Sequence, residues 1–355
     1  KLIKRRISMG IQTQFQKFHD SIKLTREDDA YSDAREKDNS ITDQIKSAFK
    51  EAGYEVKSTF IQGSFATHTA IKALDGNFDL DRAIVIDSDD APENPVECKI
   101  TLHDVLEARG FKNARIKKPC VTADYSSLDL HIDFPVYKHG FILGHRLAVG
   151  KRNSSEENRE WLSSDPEGLI VWVNDDTIEG HWSDLSKEEK AQFRRIVRYV
   201  KRWRDVQYTD PKHIYSIGLT IMLKKSLRTS IDDEDRPNDL LALYDTIDCL
   251  LEEKEFFTLT NSDPEKYTIQ VDLPVDPFTD IFQKHGETVG TELRRKFVRL
   301  RKKLKEAIDE SSLKKQYEIL SDMFGDDFPI PDEDPKGGNK VYMAASGIVV
   351  PNQGA

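Results

Sequence analysis

The segment Phe78-Asp79-Leu80-Asp81 constrains this chain more than any other. In an extended strand successive side chains point to opposite faces. Asp79 and Asp81 therefore share one face, and Phe78 and Leu80 share the other, toward a core. Apolar alternation carries the strand over Asn77 to Ile86. Two carboxylates held side by side repel each other, and a cation between them removes the penalty. Mg²⁺ takes oxygen ligands and commonly sits on one or two carboxylates plus substrate phosphates.

Upstream lies Gln62-Gly63-Ser64-Phe65-Ala66-Thr67-His68-Thr69. A glycine lets backbone amides approach a phosphate closely, and a helix N-terminus adds donors. The Ser64 hydroxyl is a further donor. Fourteen residues separate Ser64 from Asp79, and Thr69 lies five residues after Ser64. Two-metal phosphoryl chemistry asks for a third carboxylate. Asp129 and Asp133 are the candidates, on one face of an alternating strand with Leu128, Leu130, Ile132 and Phe134 on the other. Asp133 is favoured, since it directly precedes the apolar exit Phe134-Pro135-Val136. His68 and His131 are read as structural, because this chemistry requires no histidine.

Helical spacing runs from Ile11 to Phe49, and Gly53 ends it. Glu55 to Ile61 alternates toward a strand, and Phe65 to Lys72 fits a short helix. Asp87 to Pro95 is a loop, Thr101 to Ala108 a helix, and Val121 to Tyr137 one or two strands. Helices dominate after about residue 155. Ser186 with Glu189 forms a capping box ahead of a stripe of Phe193, Ile196, Val197, Val200 and Trp203. Arg194, Arg198 and Lys201 make a basic stripe beside it. The tail after Phe328 is rich in proline and glycine, lacks periodicity, and reads as disordered.

The chain has 355 residues, 37% hydrophobic and 33% charged, which suits two lobes with a wet surface. A net charge of −10 argues against gripping long nucleic acid, which is driven by release of counterions from many phosphates. No apolar run reaches the length of a membrane span, and none has the pattern of a signal peptide. Cys98, Cys120 and Cys249 are scattered, with no CxxC, so no zinc site or disulfide framework is expected. A cytoplasmic protein is the natural reading.

The ordered set Gly63-Ser64, Thr69, Asp79-Leu80-Asp81 resembles the DNA-polymerase-β-like nucleotidyltransferase superfamily. More narrowly it resembles the bacterial cGAS/DncV-like nucleotidyltransferases, the CD-NTases. Trp161 to Pro166, the helix Phe193 to Trp203, Ile214-Tyr215-Ser216-Ile217, Leu273 to Pro277 and Met323 to Asp326 are similar to further family segments, so the likeness covers roughly residues 11–328.

The resemblance implies an α+β fold: a nucleotidyltransferase lobe with a small mixed sheet and an N-terminal helix over residues 1–160, a helical lobe over 161–328, and a tail over 329–355. It implies Asp79, Asp81 and Asp133 as metal-binding catalytic residues with Mg²⁺ (or Mn²⁺). Gly63, Ser64, Thr69, Lys201 and Ser216 would bind a nucleoside triphosphate, although Ser216 also suits a helix N-cap and Lys201 a solvated face. The implied activity is synthesis of a cyclic di- or trinucleotide messenger in anti-phage (CBASS) signalling. In some members a small C-terminal residue, here Ala355, is conjugated by a ubiquitin-transfer-like (E1/E2-like) partner. A linear product, another acceptor, or an inactive nucleotide sensor are the competing readings.

Overall fold

The computed structural model describes residues 2–25, 29–74, 78–125, 130–142, 144–174, 184–253 and 255–331. Asn77, Asp129, the tail from residue 332 and Ala355 lie outside the described residues.

Two helices, α1 (Leu2–Ile22) and α2 (Asp29–Glu51), replace the single helical stretch expected at the N-terminus. Then come β1 (Val56–Gln62), α3 (Gly63–Ala66), β2 (Phe78–Asp87) and α4 (Val96–Ala108). The helix expected over Phe65 to Lys72 shrinks to α3, because His68 takes a left-handed φ of 54° that no α-helix accommodates. Next are β3 (Arg115–Ile116), β4 (Val121–Tyr125), β5 (Leu130–Phe134), β6 (Val136–Gly140), β7 (Gly144–Val149) and β8 (Glu160–Ser163).

These strands form one eight-stranded mixed sheet, larger than the small sheet expected, in the order β3-β4-β5-β2-β6-β7-β8 with β1 also on β2. Pro135 has no N–H to give a ladder. It divides what would be one long strand into β5 and β6, both parallel to β2. Leu80, Ile84 and Ile86 face a core built with Ile41, Ile45 and Phe49 of α2 and Leu102 and Leu106 of α4. Arg82 falls on that buried face too. Asp38 of α2 neutralises it, accepting from Arg82 Nε at 3.0 Å.

The helical lobe holds α5 (Pro166–Asn174), α6 (Lys187–Gln207), α7 (Ser216–Lys225), α8 (Asp239–Glu252), α9 (Gly286–Asp309) and α10 (Leu313–Phe324). It also holds a two-stranded ribbon, β9 (Phe257–Ser262) and β10 (Glu265–Ile269). The capping box at α6 is present, with Glu189 N donating to Ser186 Oγ at 3.2 Å and Ser186 N to Glu189 Oε2 at 2.8 Å. The N-terminal helix α1 packs into this lobe, where Ile11, Phe15, Phe18 and Ile22 join its core. Phe18 stacks on Tyr199 of α6 with centroids 5.2 Å apart. Asp239, at the first turn of α8, ties α6 to α8 by accepting from Arg195 Nε at 2.8 Å, Gln192 Nε2 at 3.0 Å and Tyr199 Oη at 2.9 Å. No described helix is long and apolar enough to cross a membrane.

Candidate active site

The register of β2 against β5 sets Asp79 beside His131 and Asp81 beside Asp133. Thr122 and Asp124 of β4 continue the row, opposite Asp133 and His131 respectively. One polar sheet face therefore carries Asp79, Asp81 and Asp133 together. Burial, then the charges of Asp133 and Asp79, push the Asp81 carboxyl up to about 7. Burial acts the same way on Asp133, but hydrogen bonds from His131 and Thr122 and the charge of Lys117 outweigh it and bring Asp133 down to about 2.

Asp133 is drawn sideways by these partners. Its Oδ1 accepts from Thr122 Oγ1, and Lys117 Nζ stands 3.5 Å away. His131 Nε2 lies 3.4 Å from the same oxygen, while its Nδ1 meets Asp124. His131 thus braces the third carboxylate, a role invisible in sequence except through its i, i+2 spacing to Asp133. Among the described residues, the trio whose ligand atoms converge within 4.8 Å is His103, Asp104 and Glu107, on the outer side of α4. The three sheet carboxylates stand wider apart. Their donor set of hard oxygens, with Asp81 raised to about 7 by burial and then by the charges of its neighbours, fits a divalent cation that would draw them together.

Gly63 begins the turn that faces them. Its φ is 66°, and a Cβ there would sit 2.1 Å from Asp81 Oδ2. No residue but glycine fits, since both the left-handed backbone and the space are denied to a side chain. The short helix α3 follows, and Thr69 N closes back on Ser64 O at 2.9 Å.

A cavity of about 430 Å³ opens between this turn and the helical lobe. It is lined by Gly63, Ser64, Thr69, Asp79, Asp81, Lys201 and Ser216, and Asp133 stands just outside it beside Asp81. Such a volume suits a nucleotide-sized ligand. Lys201 is buried and donates to Thr69 O at 3.0 Å and Thr69 Oγ1 at 3.3 Å. Burial, then Arg204 and Arg198, lower its ammonium to about 7. The Thr69 hydroxyl, which also pairs with Thr67 Oγ1 at 2.9 Å, serves to hold Lys201.

Ser216 is the first residue of α7, with Tyr215 at the cap position. Its Oγ accepts from Arg204 Nη1 at 2.7 Å. Arg204 and its neighbour Asp205 line the cavity and were not singled out from sequence. Their signal is Arg204 at i+3 from Lys201, on the same face of α6. Two segments noted in sequence also meet at the cavity's edge: Asp165 N donates to Asp276 O at 3.1 Å, and Ser163 Oγ donates to Asp276 Oδ2.

An acidic pair on a mixed sheet, a Gly-Ser turn facing it, and a lysine and serine from a helical lobe thus meet around one cavity. The Second Messenger Oligonucleotide or Dinucleotide Synthetase (SMODS) domain matches residues 9–176. Over that span the chain is similar to this family. It is 23% identical to the cyclic GMP-AMP synthase of Escherichia albertii over 210 residues, 56% of this chain and 44% of that one. The chain thus spans less than half the length of that curated relative. Its fold is that of CdnG from Bradyrhizobium diazoefficiens in complex with GTP (TM-score 0.63, 15% identity, covering 89% of this chain and 95% of that one). CdnC from E. coli MS115-1 with ATP is also similar (TM-score 0.62, 18% identity, 89% and 98%). So is Vibrio cholerae DncV in complex with the linear intermediate 5′ pppA(3′,5′)pG (TM-score 0.59, 16% identity, 93% and 90%).

Proposed function

We propose that this chain joins nucleoside triphosphates into a cyclic oligonucleotide, with Mg²⁺ (or Mn²⁺) as cofactor. The observation that carries the reading is a cavity bounded by Gly63 and Ser64 on one side, Asp79 and Asp81 on the sheet, and Lys201, Arg204 and Ser216 on the helical side. In this reading the amides after Gly63 and the Ser64 hydroxyl receive the triphosphate. Lys201 and Ser216 meet it from the opposite wall, and Arg204 holds the Ser216 hydroxyl in place. An incoming hydroxyl attacks the α-phosphorus, a P–O bond to the pyrophosphate breaks, and pyrophosphate leaves. Asp79, Asp81 and Asp133 would hold the cation, which when bound supplies neutralisation of the phosphate charge and acidifies the attacking hydroxyl. In this reading Asp133 accepts the hydroxyl proton.

A catalytically dead sensor has no reason to keep Asp79, Asp81 and Asp133 on one face. Nucleotide-bound relatives support triphosphate substrates, and the synthase relative supports a cyclic product. An anti-phage signalling role, a cytoplasmic site of action and conjugation of Ala355 by an E1/E2-like partner rest on the family resemblance alone. The test is incubation with the four nucleoside triphosphates and Mg²⁺, followed by mass spectrometry after phosphatase and exonuclease treatment. A resistant oligonucleotide supports the proposal. Linear or 3′-tailed products, or none, would sink it.

A further inference from the structure

We infer that Arg198 is a positioning residue for the nucleotide site, acting through the strap of residues 68–72 that joins the phosphate turn to β2. The inference rests on the nucleotide reading above. Thr69, Ala70 and Ile71 of this strap line the cavity; Arg198 does not. The strap forms no regular strand or helix, so its carbonyls need partners from elsewhere. The segment after α1 bridges the strap, with Leu24 N donating to Ala70 O at 3.2 Å and Lys72 N to Ile22 O at 2.8 Å, and helix α6 supplies the remaining partners. Arg198 Nη2 donates to His68 O at 2.7 Å and Arg198 Nε to Ala70 O at 3.1 Å. Lys201 takes Thr69 O, and Arg202 Nη2 takes Lys72 O at 2.5 Å.

Arg198 is the member whose planar fork spans two strap carbonyls, one on each side of Thr69. In doing so it grips His68, whose left-handed φ of 54° turns the chain so that the Thr69 carbonyl and hydroxyl meet Lys201. A non-glycine residue in that conformation persists only where its surroundings over-determine it. The third nitrogen, Nη1, meets His19 Nε2 at 3.1 Å, which links the grip to α1. Arg198 is only 8% exposed, and its hydrogen-bond partners among the described residues, His68 O, Ala70 O and His19 Nε2, include no carboxylate. A buried guanidinium on neutral acceptors is costly to keep for packing alone. Here its charge adds to the positive field around Lys201, and its fork sets the strap.

Arg198→Lys retains the charge and loses the fork, so it separates the two contributions. Without nucleotide, hydrogen exchange over residues 64–72 should quicken in this variant, while the rest of the chain keeps its protection. ATP and GTP, titrated with Mg²⁺, should bind about ten- to hundred-fold more weakly, as expected when the competent strap is populated about 1–10% of the time. Turnover at saturating nucleotide should stay within about threefold of wild type, because the bound ligand re-forms the strap. A folded Arg198→Lys with wild-type exchange over 64–72 would overturn the inference, as would a fall in kcat with KM unchanged. If wild type itself binds no triphosphate, the nucleotide reading fails instead, and the exchange measurement still decides whether Arg198 holds the strap.

Discussion

At the scale of single residues, the site is organised by conflicts between charge and burial that a ligand would relieve. Asp81 is held near 7 by burial and by the two neighbouring acids. Its folded-state value is raised, so this group favours the folded state below the unfolded carboxylate range and loses that contribution as pH climbs through about 7. Asp81→Asn should therefore raise the melting temperature by roughly 1–2 °C at pH 8, a gain of ~1 kcal/mol in a chain of 355 residues, while abolishing turnover together with Asp79→Asn. A lower melting temperature in calorimetry would show that the Asp81 carboxylate stabilises the fold.

Lys201 is displaced the other way, to about 7. Above that pH a growing fraction of the free protein carries a neutral amine, and a triphosphate prefers the ammonium. Titration calorimetry at pH 8 in buffers of different ionisation enthalpy should report proton uptake on nucleotide binding in wild type and none in Lys201→Met. Gly63→Ala should cost activity and ~1–3 kcal/mol of stability, because the methyl would overlap Asp81 Oδ2 in a left-handed backbone. A denaturant titration matching wild type would mean that the turn relaxes freely.

At the scale of elements, the acidic strand was legible because alternation is strict where one sheet face is buried and the other serves a site. Strand β2 appears over Phe78–Asp87, close to the range expected from that alternation. The capping box at Ser186 was legible for a similar reason, since it is a local motif. Non-local features were not. Pro135 marks a break between two strands only once β2 is known to pair with both pieces. The apolar stripe of α1 looks the same whether it covers the sheet or the helices, and only the fit of Phe15 and Phe18 around Tyr199 decides for the helices. Arg195 belonged to no expected stripe, because its partner Asp239 lies 44 residues away. Breaking that buried pair alone, as in Asp239→Ala, should destabilise the helical lobe by about 3–5 kcal/mol, seen as an early transition in urea unfolding. A change within about 0.5 kcal/mol would show the Arg195 charge finding another partner.

At the scale of the whole molecule, the two lobes meet where the chemistry is placed. The sheet contributes acids, the turn after β1 contributes Gly63 and Ser64, and α6 and α7 contribute Lys201, Arg204 and Ser216. The feature that opened the sequence, two aspartates on one strand face, gains a third acid through the strand register and a cationic wall through the helical lobe. The most direct test is a crystal structure with a non-hydrolysable triphosphate analogue and Mg²⁺. The account predicts the triphosphate between the Gly63-Ser64 turn and the Lys201 ammonium, with metal on Asp79 and Asp81. A triphosphate bound elsewhere, or one whose metal leaves both aspartates free, would contradict it.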